Sequence, residues 1–118
     1  MLPAAQPHYS GRVVILIDEV SQSQAEYTAM AFRSSPHALV VGITTAGADG
    51  NVSEIPLPGG QRSMISGIGV FYPDKKPTQR VGIIPDVEVK LTREALLAGH
   101  DTVVDAALDW IRKQKVTQ

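Results

Sequence analysis

RVVILIDEVSQSQAEYTAMAFRSSPHALVVGI, residues 12 to 43, is the stretch that decides the fold. Its first part, Arg12 to Asp18, is short, almost wholly apolar and rich in β-branched residues, the pattern of a strand covered on both faces in a parallel sheet. This predicts a central strand. From Ser21 to about Ser34 the composition turns helical, with Ala25, Ala29 and Phe32 on one stripe and Tyr27, Met30 and Ala31 beside it, until Pro36 stops the helix. Ala38 to Ile43 reads as a second buried strand. Parallel strands need a crossover, and the intervening helix supplies it, so the stretch is a βαβ unit.

Working outward, Thr44 to Gly50 is a small-residue loop, and Val52 to Leu57 and Arg62 to Tyr72 are strand-like runs around the turn Pro58-Gly59-Gly60. They predict a hairpin, with Gly67 and Gly69 as bulge or close-approach points. Pro73 to Pro77 is a polar, proline-flanked loop. After Gly82-Ile-Ile-Pro-Asp86, Val87 to Val89 reads as a short edge strand, because a proline just before it argues against a central position. Thr92 caps a short helix ending near Gly99, and Asp101 opens a last helix with Val103, Val104, Ala107, Leu108 and Ile111 at helical spacing. The fold class is α/β: a buried, mostly parallel sheet with an added hairpin and a C-terminal helix. Residues 1–118 form a single domain, in which residues 1–10 are a leader loop.

Composition narrows the function. The chain is 43% hydrophobic and 19% charged, which is ordinary for a globular domain, and no apolar run approaches the roughly 20 residues that cross a bilayer. A net charge of −1 with acids and bases interspersed gives no electrostatic footprint for nucleic acid or an anionic membrane. Absence of cysteine excludes disulfides, thiol nucleophiles and thiolate metal sites. Asp18 and Glu19 are adjacent on a strand and point to opposite faces, so no metal site is expected, and no cofactor motif is present.

The stretch Asp18 to Tyr27 carries the chemistry. A strand gives way to a helix within a few residues, and such a corner presents side chains at the carboxyl edge of a sheet. Ser21 with Gln24, and Ser23 with Glu26, both have capping-box spacing. A serine oxygen here is placed to attack a carbonyl, with the following amide, that of Gln24, donating to the oxyanion. On spacing alone, both serines read first as helix caps.

The run VVILIDEVSQSQAEYTAMAF resembles the strand, catalytic serine and helix of the C-terminal processing, or tail-specific, serine peptidases, with Ser23 at the catalytic position. LVVGITTAGADG is similar to that family's V-V-G-x-x-T-x-G loop, and FYPDKKPTQRVGIIPDVEV to its Y-x-P segment, G-I-x-P-D turn and acidic edge strand. The resemblance covers roughly residues 11 to 112 and implies the ClpP/crotonase-type fold of repeated β-β-α units. It also implies that the chain is the C-terminal half of the peptidase domain. The resemblance implies further an acyl-enzyme at Ser23, a polypeptide substrate and a periplasmic or otherwise exported location in a bacterium.

The resemblance departs at one position. Lysine-using members carry their general base where this chain has Ala48, and the tricorn-core branch uses a histidine lying upstream together with a glutamate where this chain has Gln79. A serine hydroxyl is a poor nucleophile until a base takes its proton. The base therefore stays unassigned, with His37, Lys75, Lys76, His8 and His100 as weaker internal candidates, and Asp49 best read as part of a tight turn. The isolated chain is expected to be inactive and to self-associate through the exposed edge of its first strand. A non-catalytic peptide-binding or scaffold domain is the alternative that Ala48 supports, and a crotonase-like acyl-thioester enzyme ranks last.

Overall fold

A computed structural model describes residues 9–114. Strand β1 (Val13–Ile17) leads through the serine corner into helix α1 (Gln24–Arg33), and β2 (Ala38–Gly42) returns parallel to β1, Val13 lying opposite Ala38 and Ile17 opposite Gly42. A hairpin of β3 (Asn51–Pro56) and β4 (Arg62–Ile68) follows, then the short strand β5 (Val87–Glu88), helix α2 (Arg93–Leu97) and helix α3 (Thr102–Lys113). The main sheet has the order β1-β2-β5 with every pairing parallel, and β3-β4 is a separate antiparallel ribbon.

The α/β reading, the crossover, the hairpin and the edge position of β5 all agree with the pattern of the sequence. Ser66 faces Val52 and Ile68 faces Asn51, which leaves Gly67 as the extra residue of a bulge, where a side chain is least needed. Thr92 caps α2 through the Ala95 N–H at 3.2 Å, and Asp101 caps α3 through the Val103 and Val104 amides at 2.9 and 3.0 Å. Among the described residues no helix is long and apolar enough to cross a membrane.

Two expectations need correction. β2, not β1, is the central strand among the described residues, since β1 pairs with β2 alone. The helix also turns a different face inward: Glu26, Ala29 and Met30 are buried, whereas Ala25 and Phe32 lie exposed. The core is Ile17, Ala29, Met30, Val40 and Ile83, with Ile15, Val70 and Tyr72 against it. A stripe chosen by hydrophobicity could not include Glu26, which is buried for its hydrogen bonds and not for its apolar surface.

The G-I-x-P-D turn earns its place through packing. Ile83 is fully buried, and Gly82 at φ 78° leaves no room for a side chain, since a Cβ there would come within 2.6 Å of the Thr45 carbonyl oxygen. Asp86 accepts the Val40 N–H at 2.9 Å and pairs with Arg33, whose guanidinium also donates to the Ile84 carbonyl. One aspartate thus ties the turn to both β2 and the end of α1.

Candidate active site

Parallel strands β1 and β2 end side by side, so the segments that follow them, residues 18–23 and 43–50, meet at the carboxyl edge of the sheet. The first segment closes as a tight turn. The Ser21 hydroxyl donates to Asp18 Oδ1 at 2.6 Å, the Ser21 N–H donates to the same oxygen at 2.8 Å, and the Asp18 N–H donates back to Ser21 Oγ at 3.2 Å. Ser21 therefore serves the turn and not the helix cap that its spacing suggested. These hydrogen bonds, that from the hydroxyl foremost, hold the Asp18 carboxyl below its usual range against a smaller opposing effect of desolvation.

Ser23 is the residue at which the chain changes direction. It is solvent-exposed and has φ 54° and ψ −123°, a conformation that L-residues other than glycine rarely adopt. Strain of this kind persists only where the surroundings over-determine it, and it concentrates at functional positions. The Ser23 carbonyl begins the helix by accepting the Tyr27 N–H at 3.1 Å. The next amide, that of Gln24, opens α1, where an N–H has no acceptor within the helix. An exposed hydroxyl thus stands beside a free amide, the pair that serine attack on a carbonyl requires.

Glu26 organises the surroundings. Its carboxylate is completely buried and accepts four hydrogen bonds: Oε1 from Thr45 Oγ1 at 2.5 Å and the Gly47 N–H at 2.8 Å, Oε2 from the Ala48 N–H at 2.9 Å and the Ser23 N–H at 3.1 Å. Thr45 in turn accepts the Ile83 N–H at 2.7 Å, and the Ala46 N–H donates to the Ser21 carbonyl at 3.0 Å. Sequence reading gave Glu26 as a capping-box partner and as the glutamate of the S-x-[AS]-E pattern that the resemblance supplies. The available signal was its place three residues after a serine and opposite a glycine-rich loop full of unpaired amides.

The expected site residues are brought together only in part. Ser23, Gln24 and Ala48 share the corner. His37 is at the other edge of the sheet, its carbonyl accepting the Val13 N–H at 3.0 Å, so the length of β1, roughly 13 Å at 3.3 Å per residue, separates it from the corner. Lys75 and Lys76 lie on a loop that faces Arg33 and Ser34 at the far end of α1, about 15 Å along a ten-residue helix. His100 is at the start of α3, 3.6 Å from the Asp105 carboxylate, and His8 falls outside the described residues. Asp49 is buried, not a surface turn residue: it accepts the Gly50 N–H at 2.8 Å and the hydroxyl of fully buried Thr78 at 3.3 Å. Gln79 packs over Gly50, where a Cβ would come within 2.4 Å of its Nε2.

A parallel sheet with an exposed, strained serine at its carboxyl edge defines the class of α/β proteins that carry their chemistry on a strand-to-helix corner. The model of peptidase family S41 matches residues 2–89, and the chain belongs to that family, the C-terminal processing peptidases. Among solved structures, it is similar to a protein of Parabacteroides merdae ATCC 43184 provisionally described as a peptidase, with 27% identity and a TM-score of 0.82, over 98% of this chain and 36% of that one. It shares the fold of the tricorn protease (20% identity, TM-score 0.72, 87% of this chain and 10% of the other). It also shares that of the photosystem II D1 C-terminal processing protease (22% identity, TM-score 0.62, 69% and 21%). The chain thus spans about a third or less of the length of each. A comparison with curated proteins finds no match.

Proposed function

We propose that Ser23 is the nucleophile of a serine-type endopeptidase and that this chain is the C-terminal half of its catalytic domain. The observation that carries the proposal is the backbone of Ser23, φ 54° and ψ −123°, which holds an exposed serine out at the carboxyl edge of the sheet. In the reaction Ser23 Oγ attacks the scissile carbonyl of a polypeptide while a general base takes its proton. The Gln24 N–H faces the oxyanion, and the base returns the proton to the leaving amine. Water, deprotonated by the same base, then releases the acyl group from Ser23. Among the described residues neither histidine lies at the corner, so the base comes from outside them, the upstream histidine of the tricorn-like branch being the first candidate. The enzyme acts on exported or periplasmic substrates.

A groove of about 450 Å³ runs along β1, walled on the other side by Ser21, Gln24, Ala25, Thr28 and Phe32. An extended peptide added to the edge of β1 would reach the corner directly. The second reading, a peptide-binding domain without catalysis, is favoured by Ala48 in the position of the lysine. Ser23→Ala in the full-length protein separates the two. Cleavage of casein or a tailed peptide falls at least about a thousandfold if Ser23 is the nucleophile, as when a member of a catalytic unit is removed, and a wild-type rate in the variant rejects the assignment.

A further inference from the structure

Among the described residues Glu26 is the one carboxylate that is both completely buried and unused by the chemistry just described. Buried carboxylates without a partnering cation are uncommon, because desolvation opposes the charge unless hydrogen bonds replace the lost water. Here four donors do so, and all come from two segments: Ser23 on one side and Thr45, Gly47 and Ala48 on the other. The carboxylate bears on no substrate-facing surface, so its consequences are transmitted through the groups it holds.

We infer that Glu26 is the positioning residue of the corner: one carboxylate fixes Ser23 in its left-handed conformation and clasps it to the Thr45–Ala48 loop. Two features of the geometry carry this. Ser23 sits at φ 54°, a conformation its surroundings must hold, and its N–H is directed to Glu26 Oε2 at 3.1 Å. That same oxygen accepts the Ala48 N–H, so the nucleophile and the residue at the expected base position hang from a single atom. The side chain cannot serve one segment and release the other without leaving a buried donor unpaired, which costs more than the bond itself contributes. The nucleophile and the loop are thereby coupled: an event that moves the loop is felt at Ser23.

The catalytic meaning of this inference rests on Ser23 being the nucleophile, but its structural content does not, and the test keeps the two apart. In the unmodified 118-residue chain, NMR couplings across hydrogen bonds should link the Glu26 carboxylate carbon to the amide nitrogens of Ser23, Gly47 and Ala48. In Glu26→Gln, which keeps one accepting oxygen and turns the other into an NH2 donor, exchange protection should fall by about tenfold or more at the amides facing the nitrogen, either Gly47 or the Ser23 and Ala48 pair. In the latter case the Ser23 backbone coupling constant should shift toward that of a right-handed residue. Should Glu26→Gln fail to fold, the couplings in the unmodified chain still decide, and their absence from all three amides overturns the inference. So does a folded Glu26→Gln in which the protection of the Ser23, Gly47 and Ala48 amides is unchanged at all three. In the full-length peptidase the same substitution should lower kcat about tenfold to a hundredfold with KM within twofold of the parent, whereas a general loss of structure would lower the active fraction without altering the Ser23 signal. If Ser23→Ala leaves cleavage intact while the NMR result holds, the assignment of the nucleophile fails and the clasp stands.

Discussion

The serine corner and the β3–β4 hairpin occupy the same chain under opposite rules. At the corner nearly every polar group is spoken for: Asp18 closes on Ser21, Ser21 receives Ala46, and Glu26 gathers four donors at zero exposure. The hairpin has its own ladder and the Arg62–Glu54 pair at 2.7 Å, and leaves Val52, Met64, Ile65 and Ile68 more than half exposed. Among the described residues no other helix or strand packs substantially on it. Its projection helps to explain a radius of gyration of 18.0 Å, against about 13.5 Å expected of a compact domain of this length. Hydrogen bonds that converge on one buried atom fix a conformation as unusual as that of Ser23, whereas a two-stranded ribbon in water is only marginally stable by itself. Geometry for chemistry is built where the chain can over-determine it.

The largest effect expected from this contrast is a gain. On the proposed role of Ser23 the corner still needs a base, and the Ser23 and Ala48 nitrogens lie within hydrogen-bonding distance of the same Glu26 oxygen, at 3.1 and 2.9 Å. The four-carbon stem of a lysine at the exposed Ala48 position spans that short gap. Ala48→Lys in the isolated chain should therefore raise fluorophosphonate labelling of Ser23 from undetectable to at least about a hundredfold above background, the lower range for a placed general base. Labelling of the parent chain at the same rate would show that it already holds a base, and a folded, unlabelled variant would show that the corner lacks more than one.

A smaller effect compares the two regions in stability. Glu26→Ala strands several donors at a buried site, so the chain should lose about 3 kcal/mol or more, measured by urea unfolding. Met64→Ala, at a residue 71% exposed on the hairpin, should cost less than about 0.5 kcal/mol. Equal losses would mean that the hairpin is packed against something in solution, and that the contrast drawn here is false.

Much of this was legible in the sequence, and the part that was not has a common cause. An apolar strand, a helix of 3.6-residue period and a turn of proline and glycines are local patterns, and they located the serine corner, the crossover, the hairpin and the bulge at Gly67, while only the resemblance set Ser23 apart from Ser21. Family resemblance added the turn at Gly82 to Asp86 and the missing lysine at Ala48. The edge position of β1, the burial of Glu26, Thr45, Asp49 and Thr78, and the separation of His37 from Ser23 depend on which segments meet in space. A hydrophobic stripe assigns a buried face by transfer free energy, and Glu26 is buried for a reason that such a stripe cannot express.

The smallest predicted effect concerns the solvent-exposed rim of the same corner, and its sign follows from Asp18. Hydrogen bonds from Ser21, the hydroxyl first, favour the charged carboxylate and hold its pKa in the folded chain below the ordinary 3.8. Unfolding removes those bonds and returns the group to its ordinary value, so the unfolded chain takes up a proton first as the pH falls. The contribution to stability is thus fully present above about pH 4 and is lost as the pH drops through the lowered folded value. A carboxyl-carbon NMR titration should place the Asp18 midpoint below 3.8. Ser21→Ala should move that midpoint back up and reduce the acid loss of stability. An unchanged midpoint in Ser21→Ala would show that the turn is held by the backbone alone, and that the organisation of the corner stops at Glu26 without reaching its exposed edge.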